Sequence, residues 1–250
     1  MTINCEQAVQ ILSEAARGGA RPSELPASCR PSSVAEALTI QDLLVVRLSG
    51  EVAGWKVGTD PLGLALWGAI FAADCFASPA QITDGDQWKP LGVEGEIAFR
   101  FERDLPCRAD LYTRSEIEEV LVAFPAMEIV SSRFADYRQA PFLDRVADRV
   151  SNGGMVIGTP RPDWRSFDLA HLRVTLDIDG TEKLNQIGGH PKVDPLLPAV
   201  DFIHARQAEK TFRAGQFMTT GTFTGLIFGK SDQCITVDFQ GFGAVKLTIG

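Results

Sequence analysis

The chain has 250 residues, 45% of them hydrophobic and 22% charged, with a formal net charge of −8 and a pI near 5.0. That length supports a substantial hydrophobic core, in one large domain or two small ones. The acidic balance excludes general binding to a phosphate backbone, which needs surplus Lys and Arg to displace counterions, but it permits a cation-loaded site.

The chain opens with "MTINCEQAVQILSEAARGG", an amphipathic helix pattern in which Ala8, Ile11, Leu12 and Ala15 share one face and Gly18-Gly19 ends the run. Acidic residues interrupt it, and it lacks both a basic start and an apolar centre, so it does not read as a secretory signal. No stretch is apolar for long enough to span a bilayer. The five cysteines, Cys5, Cys29, Cys75, Cys107 and Cys234, form no CxxC pair and are odd in number. Free thiols in a reducing cytosol are expected, and with them a soluble cytoplasmic protein without a membrane or nucleic-acid partner. "SSVAEALTIQDLLVVRLSG" predicts a second helix, with Ser32 or Ser33 as N-cap and Gly50 as its stop. Residues 1–52 therefore read as a helical N-terminal region.

From Ala53 the period changes. Short runs rich in Val, Ile, Phe and Thr alternate with Gly, Pro and Asp breaks, and "AGWKVGT", "GAIFAADCF", "EGEIAFRF", "PAMEIVSSRF", "LRVTLDIDG", "FMTTGTFTGLIF" and "CITVDFQGFGAVKLTI" all read as strands. Two helices interrupt them. "RSEIEEVLVAF" carries Ser115 as cap with Glu118 as its capping-box partner, and "VDPLLPAVDFIHARQAEK" has Pro195 or Pro198 near its start. The pattern is α+β: helices first, then a mostly β catalytic body over 53–250, the whole forming one integrated domain.

Strict alternation in "GVEGEIAFRF" puts Glu94, Glu96, Ala98 and Arg100 on one strand face and Gly95, Ile97, Phe99 and Phe101 on the other. The two glutamates are either solvated charges on a wet face or oxygen ligands converging on a hard divalent cation. In "AFPAMEIVSS", Glu128 lies inside an apolar run. An ionised carboxylate there needs compensation, from a pair with Arg133 or Lys56 or from a metal as its third ligand. Lys56, in the apolar, Gly-flanked "AGWKVGT", either neutralises a buried carboxylate or binds a substrate carboxylate, with burial lowering its pKa towards the range useful for proton transfer. Gly221 and Gly225 bracket Thr222 and Thr224, after Thr219 and Thr220, so close backbone approach and hydroxyl donors to an oxyanion or carboxylate are available, beside the plain reading of turn chemistry. "RVSNGGMVIG" adds Ser151 and Asn152 as a polar turn. No nucleophile elbow, phosphate loop, dinucleotide fingerprint or HExxH motif is present, and His171, His190 and His204 have no metal-ligand spacing.

Six fragments occur together in one order: "GWKVGT", "VEGEIAFRF", "PAMEIVSSRF", "DRVSNGGMVIG", "GGHP" and "TTGTFTG…VDFQGFGAV". In that order the chain resembles the 2-keto-4-pentenoate hydratase / 2-oxo-enedioate decarboxylase family of the fumarylacetoacetate hydrolase superfamily, from about Ala53 to Gly250. The resemblance implies a mixed β-sandwich-like roll behind a helical N-terminal region, and a homo-oligomer. It implies Mg²⁺ or Mn²⁺ held by Glu94, Glu96 and Glu128. Lys56 falls in the family's G-x-K site, Asp74 near an acidic position of that site and Ser151 in its Ser-containing loop. The implied reaction is hydration of a 2-oxo acid precursor such as 2-hydroxypenta-2,4-dienoate to 4-hydroxy-2-oxopentanoate. Lys56 and Asp74 are then the catalytic residues, and Lys56, Ser151 and Thr222 contact the substrate. The rival readings are a 2-oxo-3-enedioate decarboxylase, with Arg133, Arg138 or Arg149 as the cation for a second substrate carboxylate, an acylpyruvate hydrolase, and a non-catalytic metal-loaded partner subunit. Arg149 stands where the family usually has Asn, and Ala73-Asp74 where it often has paired acids.

Overall fold

A computed structural model describes residues 3–250. Its elements, in chain order, are α1 (Cys5–Ala16), α2 (Val34–Leu48), β1 (Val52–Thr59), β2 (Ala65–Phe71), β3 (Cys75–Ala77), β4 (Ala80–Ile82), β5 (Gly92–Phe101), α3 (Arg114–Glu119), β6 (Leu121–Val130), α4 (Phe142–Ala147), β7 (Asn152–Ile157), β8 (Arg173–Ile178), β9 (Thr181–Ile187), α5 (Leu197–Arg206), β10 (Phe217–Thr222), β11 (Ile227–Phe228), β12 (Cys234–Phe239) and β13 (Gly243–Ile249). Helices come first and a Gly-rich β body follows, as the sequence predicts.

Local chemistry sets the boundaries. Ser33, not Ser32, caps α2 by accepting from the Glu36 N–H, and α2 ends at Ser49 in the left-handed conformation, one residue before Gly50. The third helix departs from expectation. Its cap is Thr113, in a reciprocal capping box with Glu116, and "LVAF" leaves the helix to begin β6. The ten buried residues of β6, all apolar but Glu128, satisfy a strand covered on both faces better than a surface helix. β9 escaped the periodicity analysis because "TEKLNQI" is an edge strand with little burial and no apolar face.

The strands form two sheets. The larger runs β2-β1-β10-β5-β6-β7-β3, with β11 also on β5, and the smaller runs β4-β13-β12-β8-β9. β2, at one end of the large sheet, also packs against β7 near the other, so that sheet curls into a roll. Ile97, Phe99, Met127, Ile129, Val174, Leu176, Val237 and Leu247 fill the main core between the sheets. Each such side chain, fully buried, contributes about 1.5–3 kcal/mol. The opposite face of the large sheet, inside the roll, holds a smaller cluster of Ile70, Ala98, Phe124, Ala126, Met155 and Phe217. α1, α2 and α4 form a third cluster with Leu66 and Phe134. Among the described residues, no helix is long and apolar enough to cross a membrane.

Candidate metal centre

The alternation of β5 is realised: Ile97, Phe99 and Phe101 enter the main core, while Glu94 and Glu96 face into the roll. β6 pairs antiparallel with β5, placing Glu94 directly opposite Glu128. Like charges in that position repel unless something lies between them. Glu96 and Glu128 are fully buried, and Glu94 is partly so, which removes the wet-face reading of Glu94 and Glu96. One carboxylate oxygen from each of the three glutamates lies within 4.8 Å of the other two.

Lys56 reaches this cluster from β1, two strands away from β5. Its Nζ lies 3.0 Å from Glu128 and 3.6 Å from Glu94. Of the two partners considered for Glu128, Lys56 is the one present. Arg133 instead pairs with Asp148. The expected pKa of Lys56 is corrected as well. Burial alone would lower it, but Glu128, Glu94 and Glu96 outweigh burial and raise it, so the ammonium stays charged. Burial and the neighbouring Glu128 and Glu94 push Glu96 up to about 8, and burial raises Glu128 against the pull of Lys56.

Each buried glutamate is held on one oxygen. Glu96 Oε2 accepts from the Thr219 hydroxyl and from the Gly221 N–H, the latter at 2.8 Å. A register shift in β10 between Thr219 and Thr222 allows both donors to converge, with Gly221 at φ +120°. His190 supports that irregularity: its Nε2–H donates to Thr220 O at 2.9 Å while Nδ1 accepts from the Lys192 N–H at 3.2 Å. A side chain on Gly221 would press on the imidazole, 3.1 Å from where its Cβ would sit. Glu128 Oε1 accepts from Asn152 Nδ2 at 3.0 Å. The other oxygens are not satisfied by hydrogen bonds. Glu96 Oε1 is buried with no partner, and Glu128 Oε2 has only the Lys56 ammonium. Three carboxylates thus face one ammonium, an imbalance that a divalent cation would cancel, through ligands of the hard oxygen type such ions prefer. The residues fit the group.

Other predicted positions fall differently. Thr222 lies opposite Glu96 in the β10–β5 register, and its hydroxyl accepts from the Thr224 N–H at 3.1 Å. Ser151 is buried, with a hydroxyl that has no partner. It ends a turn in which Arg149, Val150 and Ser151 have φ of +50°, +52° and +58°. Side chains with a Cβ rarely take that region, and a β-branched Val least of all. The carbonyl of Arg149 packs over Gly68, the residue opposite Lys56 on β2; a Cβ there would lie 2.2 Å from it. Asp74 does not join the glutamates. It lines a cavity with Arg133 and Arg149 whose walls include neither the three glutamates nor Lys56. Thr219, Gly221 and Asn152 emerge as supports for the carboxylates. The "TTGT" run pointed to hydroxyl and backbone donors for a carboxylate, and that carboxylate is the protein's own Glu96.

Comparison with known proteins finds relatives that span most of the chain. The chain is 28% identical over 254 residues to the 2-keto-4-pentenoate hydratase of Paraburkholderia xenovorans, covering 96% of this chain and 93% of that one. It is 26% identical over 232 residues to a 4-oxalocrotonate decarboxylase of Pseudomonas putida, covering 85% and 84%. The fold matches the 4-oxalocrotonate decarboxylase from Pseudomonas putida G7, a structure in complex with magnesium and adipate, with a TM-score of 0.77 at 18% identity over 100% of this chain and 99% of that one. Along most of its length the chain is similar in sequence to 2-keto-4-pentenoate hydratases and 4-oxalocrotonate decarboxylases, which supports the family its motifs resemble. No family model matches it. Its named relatives are enzymes that carry out related reactions.

Proposed function

We propose that the protein is a divalent-metal-dependent lyase acting on 2-oxo acids or their dienol precursors, with hydration of a 2-hydroxy-2,4-dienoate as its reaction. The observation that carries this reading is the set of three glutamates on β5 and β6, two of them buried and each with an oxygen that no hydrogen bond satisfies. Glu94, Glu96 and Glu128 would hold a Mg²⁺ or Mn²⁺ ion, which would supply Lewis-acid stabilisation of negative charge developing on the substrate.

The chain's own residues do the rest. Thr219 and Gly221 fix Glu96, and Asn152 fixes Glu128, so the ligand oxygens are set before anything binds. Lys56 presents a permanent ammonium beside them, able to hold the substrate carboxylate and orient the conjugated chain over the cluster. Thr222 lies opposite Glu96, and the buried Ser151 hydroxyl has no partner among the described residues. A proton-moving role for Asp74 requires the substrate, or a water chain, to reach the cavity that Asp74 lines.

The test is turnover of freshly made 2-hydroxypenta-2,4-dienoate by chelator-stripped protein, with and without Mg²⁺, with products identified by NMR. The reading expects metal-dependent 4-hydroxy-2-oxopentanoate that is lost in Glu96→Gln. The second reading, favoured by full-length similarity of fold to a 4-oxalocrotonate decarboxylase, is decarboxylation of a 2-oxo-3-enedioate. Release of CO₂ from that substrate without hydration of the dienoate would select it. Metal binding without turnover of either would leave a metal-loaded, non-catalytic subunit.

A further inference from the structure

A second buried charge lies outside the metal centre. Arg149 is 5% exposed, and its guanidinium stacks 4.4 Å above the Phe71 ring. Nη1 donates to Ala69 O at 3.2 Å. Nε is buried without a partner, and Nη2 makes no hydrogen bond within the protein. Among the described residues, no carboxylate lies within ion-pair distance of it. Arg133, its neighbour, shows what a satisfied buried arginine looks like here. That side chain pairs with Asp148 and also donates to Asn152 O at 2.9 Å and Asp148 O at 2.8 Å.

The side chain of Arg149 forms part of the wall of a cavity of about 760 Å³. The cavity lies between the C-terminal end of α1, the segment 86–89 and the left-handed turn, with Arg21, Asp74 and Trp88 in its walls. Five basic side chains line it against two carboxylates, in a chain whose net charge is −8. Burial, and then the nearby Arg133, push the Arg149 guanidinium down to about 9, against the pull of Asp148 and Asp74. It is still a cation at neutral pH. Holding a charge in a buried position without a counter-ion is costly, and proteins rarely keep one unless something arrives to pair with it. The strained turn that presents it adds to that cost.

We propose that this cavity binds a small organic anion, carboxylate or phosphate, with the unpaired Nη2 of Arg149 as its anchor. A guanidinium N–H donating to an oxyanion makes a charge-assisted hydrogen bond, stronger than one between neutral groups. The volume suits a small metabolite. Trp88 offers apolar surface to its carbon skeleton, Arg21 a second cation at the rim, and Asp74 an acceptor for a ligand hydroxyl. The site is distinct from the glutamates, so the inference does not depend on which reaction they catalyse.

The experiment uses full-length, metal-stripped protein, titrated by calorimetry and thermal unfolding with inorganic phosphate in one arm and succinate in the other. A response to one arm alone identifies the head group. Saturable binding with a rise in Tm is expected in wild type, weakened at least tenfold in Arg149→Met. The unliganded Arg149→Met protein is expected to melt no lower than wild type, because the substitution removes an unpaired buried charge. Should Arg149→Met fail to fold, Arg149→Lys decides instead: a tenfold or greater loss of anion binding is expected, and an undiminished response overturns the proposal. Absence of a saturable response to both anions overturns the proposal, as does an undiminished response in Arg149→Met. A response that requires added metal and vanishes in Glu128→Gln also overturns it, by placing the anion at the glutamates.

Discussion

The two buried charge clusters of this protein are unbalanced in opposite senses. Around β5 and β6, three carboxylates face one ammonium. At the turn before β7, Arg149 has no carboxylate within ion-pair distance among the described residues. Between them lies Asn152, whose side-chain amide donates to Glu128 and whose carbonyl accepts from Arg133, the neighbour of Arg149. The difference teaches how each deficit is held. The glutamates sit on regular strands, fixed by cross-strand pairing and by donors aimed at one oxygen each, so an incoming cation finds ligands already placed. Arg149 sits on a strained turn braced against Gly68, and its charge is held by stacking and a single carbonyl.

The comparison is sharpened most by removing the cation from each cluster. Lys56→Met leaves three carboxylates without an ammonium, and should destabilise the metal-free protein by about 3–5 kcal/mol, the usual cost of breaking a buried pair. Urea unfolding should show that loss, and added Mg²⁺ should recover most of it. Arg149→Met should cost nothing by the same measurement; an equal loss in the two variants would erase the distinction. Next in size is the bridge. Asn152→Ala removes the donor to Glu128 Oε1 and should weaken metal affinity about 10–100-fold, as expected of residues that orient ligands. Unchanged affinity by calorimetry would mean that Glu128 is held in other ways.

The smallest expected effect concerns pH. His190 is buried, and burial lowers its pKa from the ordinary value, while its bond to Thr220 O pulls the other way. A depressed folded pKa means that stability is full above the unfolded value of about 6.5 and is lost as pH falls below it, with a slope of at most about 1.4 kcal/mol per pH unit for one proton. His190→Gln, which keeps a donor for Thr220 O, should flatten the stability profile below that pH. A profile identical to wild type would show that the imidazole does not titrate differently in the folded state.

The sequence made much of the glutamate cluster legible because strand alternation is a period-two code. Glu94 and Glu96 had to share a face, and Glu128 in an apolar run had to be compensated. What periodicity does not encode is which buried cation supplies the compensation, and Lys56 and Arg133 could be told apart only by seeing Asp148 beside the latter. The left-handed turn was illegible for a related reason. Nothing in "DRVSNGG" signals three consecutive positive φ values, since Arg, Val and Ser are residues that avoid them, and the conformation is imposed by packing on Gly68. The shift of the third helix cap from Ser115 to Thr113 has a local cause: two candidate capping boxes overlap there, and the strand demand of β6 decides between them. Asp74 was placed near the site by order alone, and in the structure it lines a cavity with Arg133 and Arg149 whose walls do not include the glutamates.

The most direct test of the central claim is a Mn²⁺ titration of chelator-stripped protein, followed by electron paramagnetic resonance, for wild type, Glu96→Gln and Glu128→Gln. The account predicts one saturable site per chain in wild type, weakened by at least two orders of magnitude in either variant while both remain folded. Binding that is absent in wild type, or equal in all three proteins, would contradict it and leave the three glutamates as a salt-bridge cluster with Lys56.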